Sequence, residues 1–197
     1  MTAPRSESTE AGATRRTPLL HFVLLNPEIP NNTGNIGRTA AALGCRLHIV
    51  HPIGFSMDDK ARRRAGLDYW HLVDCVEHQS WGEFLASERP HRLWLFTSRG
   101  AQSLYSANFA RGDYLLFGKE SSGVGPEVEA WVAETYGSDR LLRIPQPGTD
   151  AARPAGPASV GSADETPFVR SLNLATAVAI GGYEAFRQLA APPHSPP

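Results

Sequence analysis

Five short apolar runs recur along the chain, and they constrain its fold more than any other feature. They cover residues 19–25, 46–50, 92–97, 113–118 and 140–145. Runs of this length, rich in Leu, Ile, Val and Phe, are typical of buried strands. Helical patterns lie between several of them, at residues 35–44, 58–66, 80–88 and 125–136, and a last one covers residues 171–189. This alternation predicts an α/β domain with a mostly parallel sheet, whose ligands bind beyond the carboxyl ends of the strands.

Length and composition predict one domain without a membrane segment. The 197 residues are 41% apolar and carry a net charge of -1, so a polyanion would have to bind a local basic patch. No apolar run approaches the roughly 20 residues that cross a bilayer. Cys45 and Cys75 lack metal or redox spacing, and the start has no apolar signal segment. We therefore expect a reduced, cytoplasmic domain over residues 18–191, with disordered tails at 1–17 and 192–197.

An Asn- and Gly-rich turn follows the first predicted strand and leads into an Ala-rich helix, in the sequence IPNNTGNIGRTAAALG. Asn32 or Thr33 could cap the start of this helix, and Gly44 could end it. Arg38 lies one turn inside, where its planar fork could grip a phosphate near a helix N-terminus that already favours anions. An ordinary surface arginine explains the residue equally well.

Two further polar clusters follow later strands. Residues 118–125 contain many glycines but do not read GxGxxG, so they do not form a dinucleotide fingerprint. Glu120 in this cluster could accept hydrogen bonds from a ligand or from loop amides. In the third cluster Ser171 is placed to cap the last helix, and Asn173 then falls in its first turn. The apolar residues of this helix predict core packing or a subunit contact, and they are Leu174, Val178, Tyr183, Phe186 and Leu189.

Metal and nucleophile chemistry find little support in the sequence. His48 and His51 have no third ligand at a usable spacing, and no GxSxG motif is present. A basic run comprises Lys60, Arg62, Arg63 and Arg64, with Tyr69 and Trp70 close behind. Such a run is usually a solvated helix face, but neighbouring aromatic rings also suit an RNA-binding patch.

Taken together and in this order, the three clusters closely resemble the three motifs of the SpoU branch of the SPOUT RNA methyltransferases. The likeness extends through PEIPNNTGNIGR, LHIVHPIGF, DDKARRRAGLDY, FGKESSGV, RIP and SLNL, and it covers most of residues 20–190. The chain is most similar to minimal members of that branch, which methylate the ribose 2′-hydroxyl of the tRNA wobble nucleotide.

The resemblance implies a trefoil knot in the C-terminal half, an S-adenosylmethionine site inside the knot, and a homodimer that packs the first and last helices. No metal is expected, because the histidines lack a third ligand at a usable spacing. The cofactor-binding residues that the resemblance implies are Phe96, Thr97, Gly100, Gly118, Glu120, Ile144, Ser171, Leu172 and Asn173. The catalytic residues it implies are Asn32, Arg38 and Ser171. The residues expected to contact RNA are Arg38, Lys60, Arg62, Arg63, Arg64 and Arg170.

The chain departs from the family pattern after Ile144. Residues 146–168 are rich in Pro, Ala, Gly and Ser and stand where minimal relatives have a few residues. A loop of this length is usually a functional lid or a disordered insertion, and the composition favours a disordered insertion that bulges into solvent.

The expected function is S-adenosylmethionine-dependent methylation of a ribose 2′-hydroxyl in tRNA, with Arg38 acting as base or as phosphate clamp. Two alternatives stay open: methylation of another RNA such as rRNA, and an RNA-binding module without transfer activity.

Overall fold

A computed structural model describes residues 17–57, 68–146 and 171–190. Seven strands form one sheet in the order β3-β2-β1-β6-β4-β7-β5. The strands are β1 (His21–Leu25), β2 (Arg46–Val50), β3 (Cys75–His78), β4 (Leu93–Phe96), β5 (Gln102–Ser103), β6 (Tyr114–Phe117) and β7 (Leu141–Arg143).

All pairings between these strands are parallel. Strand β1 lies inside the sheet, where Leu24 pairs with Ile49 of β2 on one side and with Phe117 of β6 on the other. Every residue of β1 is buried, as expected for a parallel strand covered on both faces. The predicted α/β class with a mostly parallel sheet is therefore confirmed.

Within the described ranges, four α-helices cover the two faces of the sheet: α1 (Pro30–Leu43), α2 (Trp81–Glu88), α3 (Pro126–Tyr136) and α4 (Leu174–Ala190). On one face Ile36 of α1 and Val178 of α4 pack with Phe22 in a core cluster. On the other face Phe84 of α2 and Val132 of α3 pack in a second cluster. Short 3-10 turns cover Asp68–Leu72, Leu104–Ser106 and Ser138–Arg140.

Helix α1 begins five residues earlier than the sequence pattern predicts. It starts at Pro30, and Ile29 occupies the N-cap position without a side-chain hydrogen bond. The predicted cap at Asn32 or Thr33 is therefore wrong, because a proline at the first helical position already suits the helix start and lacks the amide that a cap would satisfy. Gly44 ends the helix with φ of 65°, as predicted.

The cap of helix α4 also differs from the prediction. The Oδ1 atom of Asn173 accepts hydrogen bonds from the amides of Ala175 at 2.9 Å and Thr176 at 3.3 Å. Asn173 and not Ser171 therefore caps the helix, and Ser171 lies in the preceding loop. Both residue types favour this position, and the start of the helix at Leu174 selects the residue directly before it.

Two strands were missed by the sequence pattern, namely β3 and β5. Both lie at the edges of the sheet, and their sequences CVEH and QS lack an apolar run because edge strands are less buried. The predicted helix at 58–66 lies outside the described residues, and so do the two tails except for Thr17 and the 146–168 insertion except for Gln146. No helix in the described part of the chain is long and apolar enough to cross a membrane.

Candidate active site

A cleft of about 650 Å³ opens at the carboxyl ends of β1, β6, β4 and β7. These strands are neighbours in the sheet, so the loops that follow them meet at one edge. The volume lies within the range of small-molecule sites, roughly 300–1,000 Å³. This is the place that the strand pattern predicted for a ligand.

Most of the residues predicted to bind the cofactor line this cleft. They are Phe96, Thr97, Gly118, Glu120, Ile144, Ser171, Leu172 and Asn173. Several lining residues were not predicted, among them Arg99, Lys119, Ser121 and Leu142. Their positions beside the predicted motifs were the only sequence signal that could have indicated them.

Two glycines allow the loops around the cleft to pack closely. A Cβ atom at Gly100 would lie 2.6 Å from the carbonyl carbon of Leu142 in β7. A Cβ atom at Gly118 would collide with the backbone of Gly123 and Val124, where the loop folds back on itself. Gly118 lines the cleft. Gly100 is not a lining residue, but it lets the loop after β4 pack closely against β7.

The Glu120 carboxylate joins the loop after β6 to the start of α1. It accepts hydrogen bonds from the backbone amides of Glu28 at 2.8 Å and Ile29 at 3.2 Å, and from Nδ2 of Asn32 at 3.0 Å. The expectation that Glu120 accepts from loop amides is confirmed. Because both carboxylate oxygens are engaged, Glu120 holds the wall of the cleft together.

Asn32 extends this connection to the third loop. Its Oδ1 atom accepts a hydrogen bond of 2.9 Å from Nδ2 of Asn173, while its Nδ2 atom donates to Glu120. Asn32 is only 6% exposed, so both ends of its amide are used within the protein. Three distant sequence motifs therefore meet through a Glu120–Asn32–Asn173 chain of side-chain hydrogen bonds.

A second connection lies beside the first, between Glu28 and Ser121. The backbone amide and the hydroxyl of Ser121 each donate to the Glu28 carboxylate at 3.0 Å. These two hydrogen bonds lower the pKa of Glu28, because they stabilise its charged form. The loop after β1 is thus tied twice to the loop after β6.

Arg38 lies on the same helix as Asn32 but does not line the cleft. The two residues are separated by six positions, about 9 Å along the helix axis. The Arg38 side chain is exposed, and its Cζ atom lies 4.1 Å from the centre of the Tyr69 ring. The structure therefore brings Asn32, Glu120 and Asn173 together and leaves Arg38 at a distance along the helix.

Three histidines form a hydrogen-bonded row across β1, β2 and β3. Nδ1 of His21 lies 2.9 Å from Nε2 of His48, and Nδ1 of His48 lies 3.0 Å from Nε2 of His78. Burial lowers the pKa of His21 to about 4 and that of His48 to about 2, so the row is neutral and the 3.9 Å contact between His48 and Glu88 is not an ion pair.

The histidine row has some of the features of a metal site, because ligand atoms of His21, His48 and Glu88 lie within 4.8 Å of one another. The facing ring nitrogens already satisfy each other, which leaves no converging lone pairs for an ion. His51 lies apart and contacts Glu77 at 2.8 Å. The absence of a metal stays a prediction.

The remaining residues predicted to contact RNA lie outside the described part of the chain. They are Lys60, Arg62, Arg63, Arg64 and Arg170.

Comparisons with known proteins agree on one family. Residues 19–150 match the model of the SpoU rRNA methylase family. A tRNA (cytidine(34)-2′-O)-methyltransferase of Polaromonas sp. is 44% identical over 173 residues, which are 86% of this chain and 91% of the relative. A solved structure that concerns the 2-OH methylation of C/U34 on tRNA is 46% identical, with a TM-score of 0.68 and coverage of 87% of this chain and 96% of that one.

A more distant structure was solved with a cofactor. The SpoU methyltransferase AviRb from Streptomyces viridochromogenes, in complex with AdoMet, is 26% identical to this chain. Its TM-score is 0.62, and the match covers 89% of this chain and 62% of that one.

Proposed function

The chain belongs to the SpoU methylase family, and from this premise we propose that it methylates the ribose 2′-hydroxyl of the wobble nucleotide of tRNA, with S-adenosylmethionine as methyl donor. Relatives that match almost the whole described domain carry this activity in their names. The observation that supports it most within the chain is the meeting of three motif loops at one cleft through Glu120, Asn32 and Asn173.

The cleft suits the proposed cofactor in size and in composition. Apolar walls from Leu142, Ile144 and Val124 stand beside polar loop residues, a mixture that fits a ligand with an adenine ring and a charged amino-acid end. Close packing at Gly118 lets the loop after β6 fold back on itself, so that Gly123 and Val124 also line the cleft. When bound, the cofactor supplies an activated methyl group.

The protein's own task is to place the target hydroxyl in line with that methyl group. Glu120 is the only carboxylate among the described residues that line the cleft, and its oxygens are engaged by loop amides and Asn32. We assign Glu120 and Asn32 to holding the loops, and Ser171, which is exposed in the cleft, to contact with the substrate or cofactor.

Arg38 acts as a phosphate clamp in this proposal. A guanidinium stays protonated in proteins, which makes it a poor base and a good partner for phosphate. Its position about 9 Å along α1 from Asn32 suits contact with the RNA backbone next to the target ribose. The clamp orients the hydroxyl and stabilises the negative charge that develops on it.

Three further features belong to the proposal: a trefoil knot formed by the chain after β7, a homodimer, and a cytoplasmic location that gives access to tRNA. The dimer is supported by two exposed aromatic rings on α4, since Tyr183 is 53% and Phe186 is 39% exposed. Helices α1 and α4 pack side by side on the same face of the sheet, which places both predicted interface helices together.

A transfer assay tests the function against its alternatives. The protein is incubated with methyl-labelled S-adenosylmethionine and either unmodified tRNA or rRNA, and S-adenosylhomocysteine binding is measured by calorimetry. We expect label in tRNA and measurable binding. Label confined to rRNA would identify another substrate, and binding without any transfer to either RNA would contradict an active enzyme. The lack of both would support an RNA-binding module.

A further inference from the structure

A short 3-10 turn, Asp68–Leu72, packs against the middle of helix α1. The hydroxyl of Tyr69 donates a hydrogen bond of 2.7 Å to the backbone carbonyl of Gly34. The neighbouring Trp70 ring fills the space beside Gly37, where any Cβ atom would collide with it. The turn is therefore fitted to this part of α1 by two independent contacts.

The same turn places an aromatic ring under the Arg38 guanidinium. Cζ of Arg38 lies 4.1 Å from the centre of the Tyr69 ring, which is the geometry of a cation–π contact. Among the described residues no carboxylate forms an ion pair with Arg38. The ring covers one face of the guanidinium and leaves its N–H edges available.

We propose that Tyr69 is a positioning residue for Arg38. The inference rests on the proposed function, in which Arg38 grips a substrate phosphate. Packing of the turn on α1, through the Trp70 ring as well as the hydroxyl bond to Gly34, holds the Tyr69 ring in place. The ring in turn restricts the guanidinium to one plane before RNA arrives. Such restriction reduces the conformational entropy that a long side chain loses when it binds. More of the free energy of the contact between Arg38 and phosphate can then stabilise the transition state. A neutral ring does this without competing with phosphate for the N–H groups, as a carboxylate would.

Steady-state kinetics on tRNA separate this role from simple support of the helix. Tyr69→Leu removes the ring face, whereas Tyr69→Phe keeps it and loses only the hydroxyl. We expect Tyr69→Leu to reduce kcat by about 2- to 30-fold, the range that a cation–π contact corresponds to. Affinity for S-adenosylhomocysteine should not change, and Tyr69→Phe should retain most of the activity. Leu72→Ala is the matched control, because Leu72 belongs to the same turn and is 66% exposed.

Two readouts respond to the ring contact and not to folding. In NMR spectra we expect the ring current of Tyr69 to shift the Nε–H signal of Arg38, because the guanidinium lies 4.1 Å from the ring centre. That shift should disappear in Tyr69→Leu and persist in Tyr69→Phe. If Tyr69→Leu does not fold, fluorinated phenylalanines of nearly equal size are introduced at position 69 and compared with Tyr69→Phe. The kcat value should then fall as fluorine is added, since each fluorine weakens the negative face of the ring.

Arg38→Ala, measured in the same series, separates the two claims. Near-normal turnover of Arg38→Ala would contradict the role of Arg38 itself. Loss of turnover in Arg38→Ala together with a fully active Tyr69→Leu, or with a kcat independent of fluorination, would overturn only the role of Tyr69.

Discussion

Replacement of Arg38 separates substrate positioning from cofactor binding at the scale of one residue. Arg38→Ala should nearly abolish methyl transfer while the affinity for S-adenosylhomocysteine stays within about twofold, because Arg38 does not line the cleft. The fold should survive, since the side chain is exposed and Ala favours helices. Transfer rates and calorimetry on the purified variant check both parts. Lost cofactor affinity would mean that the cofactor site extends along α1.

Arg38→Lys refines the same test. Lysine keeps the positive charge but has no planar fork, so a bidentate grip on phosphate predicts little recovery over Arg38→Ala. Recovery to within about tenfold of the unchanged protein would instead indicate that charge alone suffices.

The buried histidine row makes the fold sensitive to acid. His21 and His48 have pKa values lowered to about 4 and about 2, against about 6.5 in an unfolded chain. Below pH 6.5 the unfolded chain therefore binds protons that the folded protein does not, and stability is lost as the pH falls. Between pH 7 and pH 5 this loss should be about 2 kcal/mol for each of the two residues.

Urea unfolding followed by tryptophan fluorescence measures this loss directly. The measurement stays above pH 5 because Glu28 and Glu184 also have lowered pKa values. Protonation of these two carboxylates destabilises the fold mainly at lower pH. His71→Gln, which removes an exposed histidine outside the row, is measured in parallel as the control. A free energy of unfolding that is constant from pH 7 to pH 5 would contradict a neutral, buried row.

At the scale of one element, the loop after β6 depends on Gly118. Gly118→Ala places a Cβ atom against the backbone of Gly123 and Val124, which cannot move aside as a flexible side chain would. We expect at least a roughly tenfold weaker affinity for S-adenosylhomocysteine and a stability loss of about 1–3 kcal/mol, typical of overpacking. Gly54→Ala is the control, because no atom lies within 4 Å of its added Cβ. If Gly118→Ala binds S-adenosylhomocysteine as tightly as the unchanged protein, the loop after β6 does not contribute to cofactor binding.

Elements with strong apolar runs were predicted well, and elements set by tertiary contacts were not. Strands β1, β2, β4, β6 and β7 were recognised because each contributes apolar residues to the buried part of the sheet. The 3-10 turn at Asp68–Leu72 carries no periodic pattern, and its packing on α1 depends on contacts between residues distant in sequence, such as Tyr69 and Gly34. Asn173 and Ser171 are equally good caps by type, so only the folded chain decides between them.

For the candidate site, too, the sequence predicted which residues take part but not the contacts between their side chains. The resemblance to the SpoU motifs predicted that Asn32, Glu120 and Asn173 share a site, and hydrogen bonds connect the three side chains in the structure. The sequence could not show that both the oxygen and the nitrogen of the Asn32 side chain form hydrogen bonds within the protein. It also could not show that the Arg38 guanidinium forms a cation–π contact with Tyr69. Those facts depend on side-chain directions in the folded chain, which the motifs do not specify.

At the scale of the whole molecule, the exposed face of α4 predicts self-association. Tyr183 and Phe186 stack edge to face on this helix while remaining exposed in one chain. Sedimentation at micromolar concentration should give the mass of a dimer, and Tyr183→Glu combined with Phe186→Glu should shift it towards the monomer. Tyr105→Glu, at a residue that is 66% exposed elsewhere, should leave the dimer intact. A monomer mass for the unchanged protein would contradict the proposed dimer.

The central claim concerns one oxygen atom of the substrate, and a single deoxy substitution tests it most directly. Two unmodified tRNAs are prepared that differ only in the sugar of the wobble nucleotide, which is ribose in one and 2′-deoxyribose in the other. Each is incubated with the protein and methyl-labelled S-adenosylmethionine, and the label in RNA is counted. We predict label in the ribose form and none in the deoxy form. Equal label in both would contradict methylation of the wobble 2′-hydroxyl.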